Sequence, residues 1–113
     1  MRVSVFICTY NRGKLINNTL KGIIQEQTQL PDEIVVVNGG GEYGCSEILA
    51  YWKTQFDGLR EIKTQNVNLA NSRNIGLPQC IGDIIIQIDD DAVPFPDYIE
   101  KHIEAHKNYP EAG

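Results

Sequence analysis

The chain has 113 residues, of which 42% are hydrophobic, and these values are typical of one small globular domain with a single core. Its formal net charge of −5 at pH 7 argues against a nucleic-acid-binding surface, which requires a basic patch. The apolar runs, such as those at residues 34–37 and 84–86, are too short to cross a bilayer, and the run at residues 5–8 is too short for a signal peptide.

The hydrophobic pattern predicts strands and helices that alternate along the chain. In chain order, the expected elements are a strand at residues 3–8, a helix at 13–27, a strand at 33–37, a helix at 46–56, a strand at 59–64, a short helix at 68–79, a strand at 83–88 and a helix at 96–108. Ser46 is expected as an N-cap and Pro96 in a first helical turn. Apolar strands separated by helices indicate an α/β fold, with a mostly parallel sheet of about four strands and helices on both faces.

The three cysteines, Cys8, Cys45 and Cys80, are odd in number and far apart in the sequence. Their spacing does not resemble a zinc site, and it favours free thiols over disulfides. The sequence therefore predicts a cytoplasmic protein.

Three adjacent carboxylates, Asp89, Asp90 and Asp91, follow a predicted strand with a continuous apolar run at residues 84–86. Ligands of parallel α/β sheets bind at the carboxyl ends of the strands, so this position predicts a site. Neighbouring carboxylates repel one another, and Mg²⁺ or Mn²⁺ relieves that repulsion while leaving positions open for substrate phosphates. If the strand persists, Asp89 and Asp91 share one side of it and Asp90 points elsewhere. The alternative is a solvated acidic turn before the next helix.

Four sequence blocks stand in an order and spacing typical of one enzyme family. They read VSVFICTYNR at residues 3–12, DEIVVV at 32–37, NLANSRNIG at 68–76 and GDIIIQIDDD at 82–91. Together they resemble the family 2 glycosyltransferases, which have the GT-A fold. The resemblance implies a metal-dependent enzyme that transfers sugar from a nucleoside-diphosphate sugar to an acceptor, in polysaccharide or glycoconjugate biosynthesis. Residues 1–113 are expected to be its nucleotide-sugar-binding domain.

The resemblance also implies roles for the acidic residues and for one arginine. Asp91 is expected to be the principal metal ligand, with Asp89 as a second one. Asp89 or Asp90 is expected to contact the ribose or a metal-bound water. Arg73 is expected to face the nucleotide or its phosphates, and Asp83 to pair with Arg73 or to brace its loop. The alternatives are that Arg73 covers apolar surface and that Asp83 only begins a strand.

The first predicted strand is followed by the expected nucleotide loop. By resemblance, Thr9, Tyr10 and Arg12 lie at the base and ribose, with Tyr10 offering a stacking face. The alternatives are a tyrosine packed at a strand end and a solvated arginine. After the second strand the family usually carries acidic residues, whereas this chain has Asn38 followed by glycines. Asn38 can hydrogen-bond a base edge but supplies no carboxylate, so the sequence does not determine which nucleotide base is bound.

The family's catalytic domain is substantially longer than this chain. The acceptor site and the general base of inverting members are therefore expected beyond Gly113, and the chain is expected to be a fragment that binds donor only. The open edge of its unfinished sheet predicts dimerisation. The whole protein is expected at the inner face of the membrane.

Two local motifs favour other sites when taken alone. Residues 39–44 fit the dinucleotide-binding pattern G-x-G-x-x-G, but they follow the second strand, and the next strand ends without the required acidic residue. His102 and His106 have helical metal-ligand spacing but lack the companion glutamate, which favours a solvated helix face.

Two other functions stay open beside the glycosyltransferase. A nucleotidyltransferase would need a glycine-rich basic loop after the first strand, where residues 9–13 read TYNRG. A non-catalytic module that binds nucleotide or metal is the alternative of another class.

Overall fold

A computed structural model describes residues 2–10, 13–39, 45–64 and 69–108 of the chain. Arg12 and most of the glycine-rich segment therefore lie outside the described residues. The elements in chain order are β1 (Val3–Thr9), α1 (Gly13–Ile24), β2 (Glu33–Asn38), α2 (Cys45–Gln55), β3 (Leu59–Lys63), α3 (Leu69–Gly76), a 3₁₀ turn (Leu77–Gln79), β4 (Ile84–Gln87) and α4 (Tyr98–Asn108). The predicted alternation of strands and helices is confirmed.

The four strands form a parallel sheet in the order β3-β2-β1-β4. In the centre of the sheet, Phe6 of β1 lies beside Val35 of β2 and beside Gln87 of β4. Parallel strands end at the same edge, so Thr9, Asn38 and the segment after Gln87 come together there. The predicted α/β fold is confirmed.

The principal core lies between one face of the sheet and the helices α1, α2 and α4. Its strand residues alternate along the chain, as the pleat requires. The fully or almost fully buried members include Val5, Ile7, Ile16, Leu20, Ile23, Ile34, Val36, Leu49, Trp52, Ile86 and Ile99. Each such aliphatic side chain contributes about 1.5–3 kcal/mol by its removal from water, and this burial holds the three helices on the sheet.

The second face of the sheet is covered by α3 above β1 and β2. Gly76, the last residue of α3, lies directly against Phe6 and Val37, and a Cβ at this position would overlap both side chains. This close approach requires glycine and fixes the distance between α3 and the sheet. On β4 the same face is partly open, because Ile85 is 42% exposed.

A long-range cap explains why α1 and α4 differ from their predicted bounds. The amide of Gln27 donates to Phe95 O (2.6 Å) and accepts from the N–H of Ile99 (3.0 Å). Its side chain thereby satisfies a free N–H in the first turn of α4. The helix predicted to reach residue 27 ends at Ile24, and the one predicted from Pro96 begins at Tyr98.

The predicted role of Ser46 as an N-cap is wrong. Helix α2 begins at Cys45, and the Ser46 hydroxyl donates to Glu61 Oε2 across to β3 (2.8 Å). Asp83 precedes β4 and accepts from the N–H of Arg2 (2.8 Å), which joins it to the start of β1. Ser46 thus joins α2 to β3, and Asp83 joins the segment before β4 to the residue before β1.

A buried carboxylate holds the amino edge of the sheet. Glu33 is 4% exposed, and its Oε1 accepts from the Ser4 hydroxyl (2.6 Å) and from the N–H of Ile81 (2.5 Å). Its Oε2 accepts from Arg60 Nη2 (3.0 Å), and Arg60 also donates to Gln79 O. Burial alone raises the pKa of Glu33, but these donors outweigh burial and hold the pKa below its ordinary value.

The part of the chain that the structure describes contains no helix long and apolar enough to cross a bilayer.

Candidate functional site

The carboxyl edge of the sheet is joined by a buried hydrogen bond between two predicted site residues. Thr9 ends β1, and its Oγ1 donates to Asp90 Oδ2 (3.0 Å) in the turn after β4. Thr9 is 5% exposed and Asp90 is 8% exposed. The bond therefore lies beneath the surface, and it fixes the acidic segment against the neighbouring strand.

The three aspartates form a turn rather than a continuation of β4. The strand ends at Gln87, and the N–H of Ala92 donates to Asp89 O (3.1 Å). The expected strand alternation therefore does not apply, although Asp90 still points away from its neighbours. Asp90 is buried, while Asp89 and Asp91 are exposed on the outside of the turn.

Helix α1 supports the turn from below through one hydroxyl. Thr19 Oγ1 lies 2.9 Å from Asp90 O and 2.6 Å from Ala92 O, and its side chain is fully buried. A hydroxyl has one proton, so it donates to one of these carbonyls at a time. Together with Thr9 it anchors Asp90 and Ala92 of the turn. A cavity of about 320 Å³ opens beside the turn, with Asp89 and the apolar side chains of Val93 and Phe95 among its lining residues.

The described residues contain no group of three or more histidine, cysteine or acidic side chains placed to hold a metal ion. The donor set at the turn is the exposed carboxylate pair of Asp89 and Asp91. Mg²⁺ takes one or two carboxylates and fills its remaining positions with water and substrate phosphates. The chemistry of this pair therefore fits Mg²⁺ or Mn²⁺ bound together with a phosphorylated substrate.

The end of β2 carries a polar cluster that the sequence did not reveal. Asn38 Nδ2 donates to Glu61 Oε2 (2.9 Å) and to Ser46 Oγ (3.3 Å), and Asn38 is 5% exposed. Glu61 comes from β3 and brings a carboxylate to the place where the sequence lacks one. Strand periodicity could have indicated this residue, because Glu61 lies two positions after the buried Leu59 and therefore on the same face of the sheet.

Cys8, Cys45 and Cys80 are free thiols, and two of them, Cys8 and Cys45, lie near the carboxyl edge of the sheet. Burial, followed by the nearby carboxylate of Glu61, raises the pKa of Cys45 to about 11. Burial also raises the pKa of Cys8, against the lowering effect of the Arg73 charge. Burial therefore favours the protonated form of both thiols.

Arg73 lies in the last turn of α3, is exposed and contacts β4. The Gln87 amide oxygen accepts from its Nη2 (3.1 Å) and Nε (3.2 Å), with the amide oriented to satisfy both groups. Arg73 thus pairs with Gln87 rather than with Asp83. Tyr10 is 46% exposed directly after β1, and His102 packs edge-on against the ring of Tyr98 in α4.

The arrangement of strands and helices is that of known glycosyltransferases. It superimposes on residues 1–349 of TarS from S. aureus with a TM-score of 0.86, at 21% identity, over 97% of this chain and 33% of that one. It also superimposes on the mannosyltransferase PcManGT from Pyrobaculum calidifontis in complex with GDP-Man and Mn²⁺. For this pair the TM-score is 0.72 and the identity 28%, over 81% of this chain and 28% of that one. The chain therefore has the GT-A fold.

Sequence comparison gives the family. The chain is 32% identical over 96% of its length to the uncharacterized glycosyltransferase YfnE of Bacillus subtilis, and 32% identical over 99% to the glucosyl-dolichyl phosphate glucuronosyltransferase of Haloferax volcanii. It spans 28% and 36% of these two relatives. The profile described as Glycosyl transferase family 2 matches residues 4–113, so the chain belongs to that family. The family predicted from the sequence is confirmed.

Proposed function

We propose that this domain binds the nucleoside-diphosphate part of a sugar donor at the carboxyl edge of β1, β2 and β4. It serves as the donor-binding part of an enzyme that transfers the sugar to an acceptor in polysaccharide or glycoconjugate synthesis. One observation carries the proposal: burial of Asp90 against Thr9 leaves Asp89 and Asp91 exposed at the strand edge where α/β proteins bind ligands.

A divalent cation, Mg²⁺ or Mn²⁺, is proposed to be held by Asp91 and Asp89. When bound, it would offset the charge of the diphosphate leaving group. The exposed oxygen donors fit a hard cation, and their anchoring through Asp90 means that little ordering is left to occur on binding. The similarity to a mannosyltransferase that binds GDP-Man and Mn²⁺, at 28% identity, supports this assignment.

The remaining residues are proposed to orient the nucleotide. Tyr10 presents an exposed ring directly after β1, on which a base can stack. Asn38, held by Glu61, is proposed to hydrogen-bond the base edge. Arg73 supplies a permanent positive charge for the phosphates. Thr9 contributes mainly through Asp90, because its hydroxyl already donates to that carboxylate.

Cation-dependent nucleotide binding tests the proposal. We expect the chain to bind UDP or GDP, measured by isothermal titration calorimetry, only when Mn²⁺ or Mg²⁺ is present. The change of Asp91→Asn is expected to weaken this binding by about tenfold or more, because one charged ligand is lost. The matched control is Asp57→Asn, an exposed aspartate that precedes β3 at the opposite edge of the sheet. The control is expected to bind like the unchanged chain.

Two results would contradict the proposal. One is nucleotide binding that is equally tight after chelation of divalent ions. The other is equal affinity for the Asp91→Asn variant and the control. Transfer or hydrolysis of sugar from a nucleoside-diphosphate sugar would indicate an enzyme, whereas nucleotide binding without either reaction would indicate a non-catalytic module.

A further inference from the structure

The side chains of Arg73 and Gln87 meet across the gap between α3 and β4. One amide oxygen of Gln87 accepts from two donors of the guanidinium, Nη2 at 3.1 Å and Nε at 3.2 Å. Two donors on the same edge of a planar group fix its orientation as well as its position. Arg73 is otherwise an exposed side chain on a short helix, so this contact decides where its charge lies.

The contact lies close to the acidic turn. Gln87 is the last residue of β4, and Asp89 follows two residues later, which corresponds to about 7 Å along an extended chain. The Cys8 thiol, in the neighbouring strand β1, is influenced by Arg73 and by Asp90. Burial raises the pKa of Cys8 most, while the charge of Arg73 lowers it and that of Asp90 raises it. The guanidinium therefore lies on the same side of the sheet edge as the chain segment that leads from Gln87 into the acidic turn.

Helix α3 presents Arg73 at a fixed height above the sheet. Gly76 lies one turn after Arg73 and packs directly on Phe6 and Val37, with no room for a Cβ. The helix therefore cannot move closer to the sheet, and the side chain of Arg73 reaches β4 from a defined position. From that position the guanidinium of Arg73 meets the side chain of Gln87, the last residue of β4.

The chemistry of glutamine is the reason to assign it a role. A neutral amide oxygen fixes the guanidinium without cancelling its charge, whereas a carboxylate at the same place would form an ion pair. We infer that Gln87 is a positioning residue that aims the uncompensated charge of Arg73 at the diphosphate of the donor. This inference rests on the proposed function and adds a determinant of phosphate recognition to it.

The test compares affinity for a nucleoside diphosphate with affinity for the corresponding nucleoside, both with Mn²⁺ present. Gln87→Leu is expected to weaken diphosphate binding by about three- to tenfold and to leave nucleoside binding unchanged, because Arg73 is proposed to contact the phosphates and not the nucleoside. Gln87→Glu is expected to weaken it at least as much, since the ion pair neutralises the guanidinium. In an Arg73→Gln background, Gln87→Leu is expected to add nothing. The matched control is Gln25→Leu, an exposed glutamine after α1 that is expected to change neither affinity.

The outcomes separate this inference from the proposed function. If the unchanged chain binds no nucleoside diphosphate, the proposed function is overturned, and this inference with it. If it binds, and Arg73→Gln weakens binding while Gln87→Leu does not, only the positioning role is overturned. A fold-related loss would weaken nucleoside and diphosphate binding equally and would also reject the role. The Nε–H resonance of Arg73 in NMR spectra provides a readout without ligand, because it is expected to shift and to exchange faster in Gln87→Leu.

Discussion

The Nδ2 atom of Asn38 lies 2.9 Å from Glu61 Oε2, so the amide that ends β2 is held by a carboxylate from β3. Acidic residues usually follow the second strand in the family that this chain resembles, whereas this chain has an amide at position 38. In the folded chain the negative charge beside Asn38 comes from Glu61 of β3. Asparagine is compatible with Glu61 at this distance because it donates a hydrogen bond, whereas aspartate would only repel it.

The change of Asn38→Asp is expected to destabilise the fold by about 1–3 kcal/mol at pH 7, because it replaces a buried donor with a second carboxylate. Urea unfolding measures this cost. The control is Asn18→Asp on the exposed face of α1. Equal losses for the two variants would show that the Asn38–Glu61 contact has no energetic role.

The change of Thr9→Val removes the donor to Asp90 and leaves that buried carboxylate with one partner fewer. The expected loss of unfolding free energy is about 1–3 kcal/mol, since an unsatisfied buried acceptor retains its desolvation cost. Thr9→Ser is expected to restore most of it. Thr28→Val removes a surface hydrogen bond and is expected to stay within about 0.5 kcal/mol. A Thr9→Val variant as stable as Thr28→Val would contradict this account of the turn.

The network around Glu33 predicts a pH dependence of stability. Its pKa is held below the ordinary value, so its contribution is complete above the ordinary carboxyl pKa and is lost as the pH falls through the lowered value. Glu33→Gln is therefore expected to cost about 1–3 kcal/mol at pH 7 and progressively less below about pH 4.5. Chemical unfolding from pH 7 to pH 3 measures the difference, with the exposed Glu26→Gln as control. A cost that is constant over this range would disprove the assigned charge state.

The raised pKa of Cys45, about 11, predicts slow chemistry for this thiol. At pH 8 only about one molecule in a thousand carries the thiolate, which is the form that reacts. Iodoacetamide followed by peptide mass spectrometry is expected to modify Cys8 and Cys80 before Cys45 in the folded chain. All three are expected to react alike in urea. Early modification of Cys45 in the folded state would show that α2 does not protect it.

The change of Gly76→Ala is expected to destabilise the fold by about 1–3 kcal/mol, because the added methyl group overlaps Phe6 and Val37. It is also expected to weaken nucleoside diphosphate binding, since relief of the overlap moves α3 and therefore Arg73. Thermal unfolding and calorimetry measure the two effects. Asn74→Ala on the exposed side of the same helix is the control, expected within about 0.5 kcal/mol. Unchanged binding in Gly76→Ala would show that α3 does not position Arg73.

Element type and order were predictable because they depend on local pattern. Continuous β-branched runs indicate strands buried on both sides, and helical spacing of apolar residues indicates the helices between them. Boundaries were predicted less well. The side chain of Gln27 caps a helix that begins about seventy positions later, and no local signal encodes such a contact.

The family and the candidate edge also followed from the sequence, since both depend on residue types at fixed spacing. The partners of those residues did not follow. Gln87 faces Arg73 and Glu61 faces Asn38 because strand order and helix packing bring distant segments together. A polar residue in a strand looks the same in the sequence whether it faces water or another side chain.

The sequence by itself determined the α/β class, the family and the edge at which the aspartates lie. These follow from local hydrophobic patterns and from residue types at fixed spacing, which require no knowledge of distant contacts. Only the tertiary structure decided that Asp90 turns inward to Thr9 while Asp89 and Asp91 stay exposed. The physical reason is that a buried carboxylate needs a donor, and Thr9 of β1 supplies it, while Thr19 of α1 donates to the backbone of the same turn. Both residues are distant from Asp90 in sequence and adjacent to it only in the folded chain.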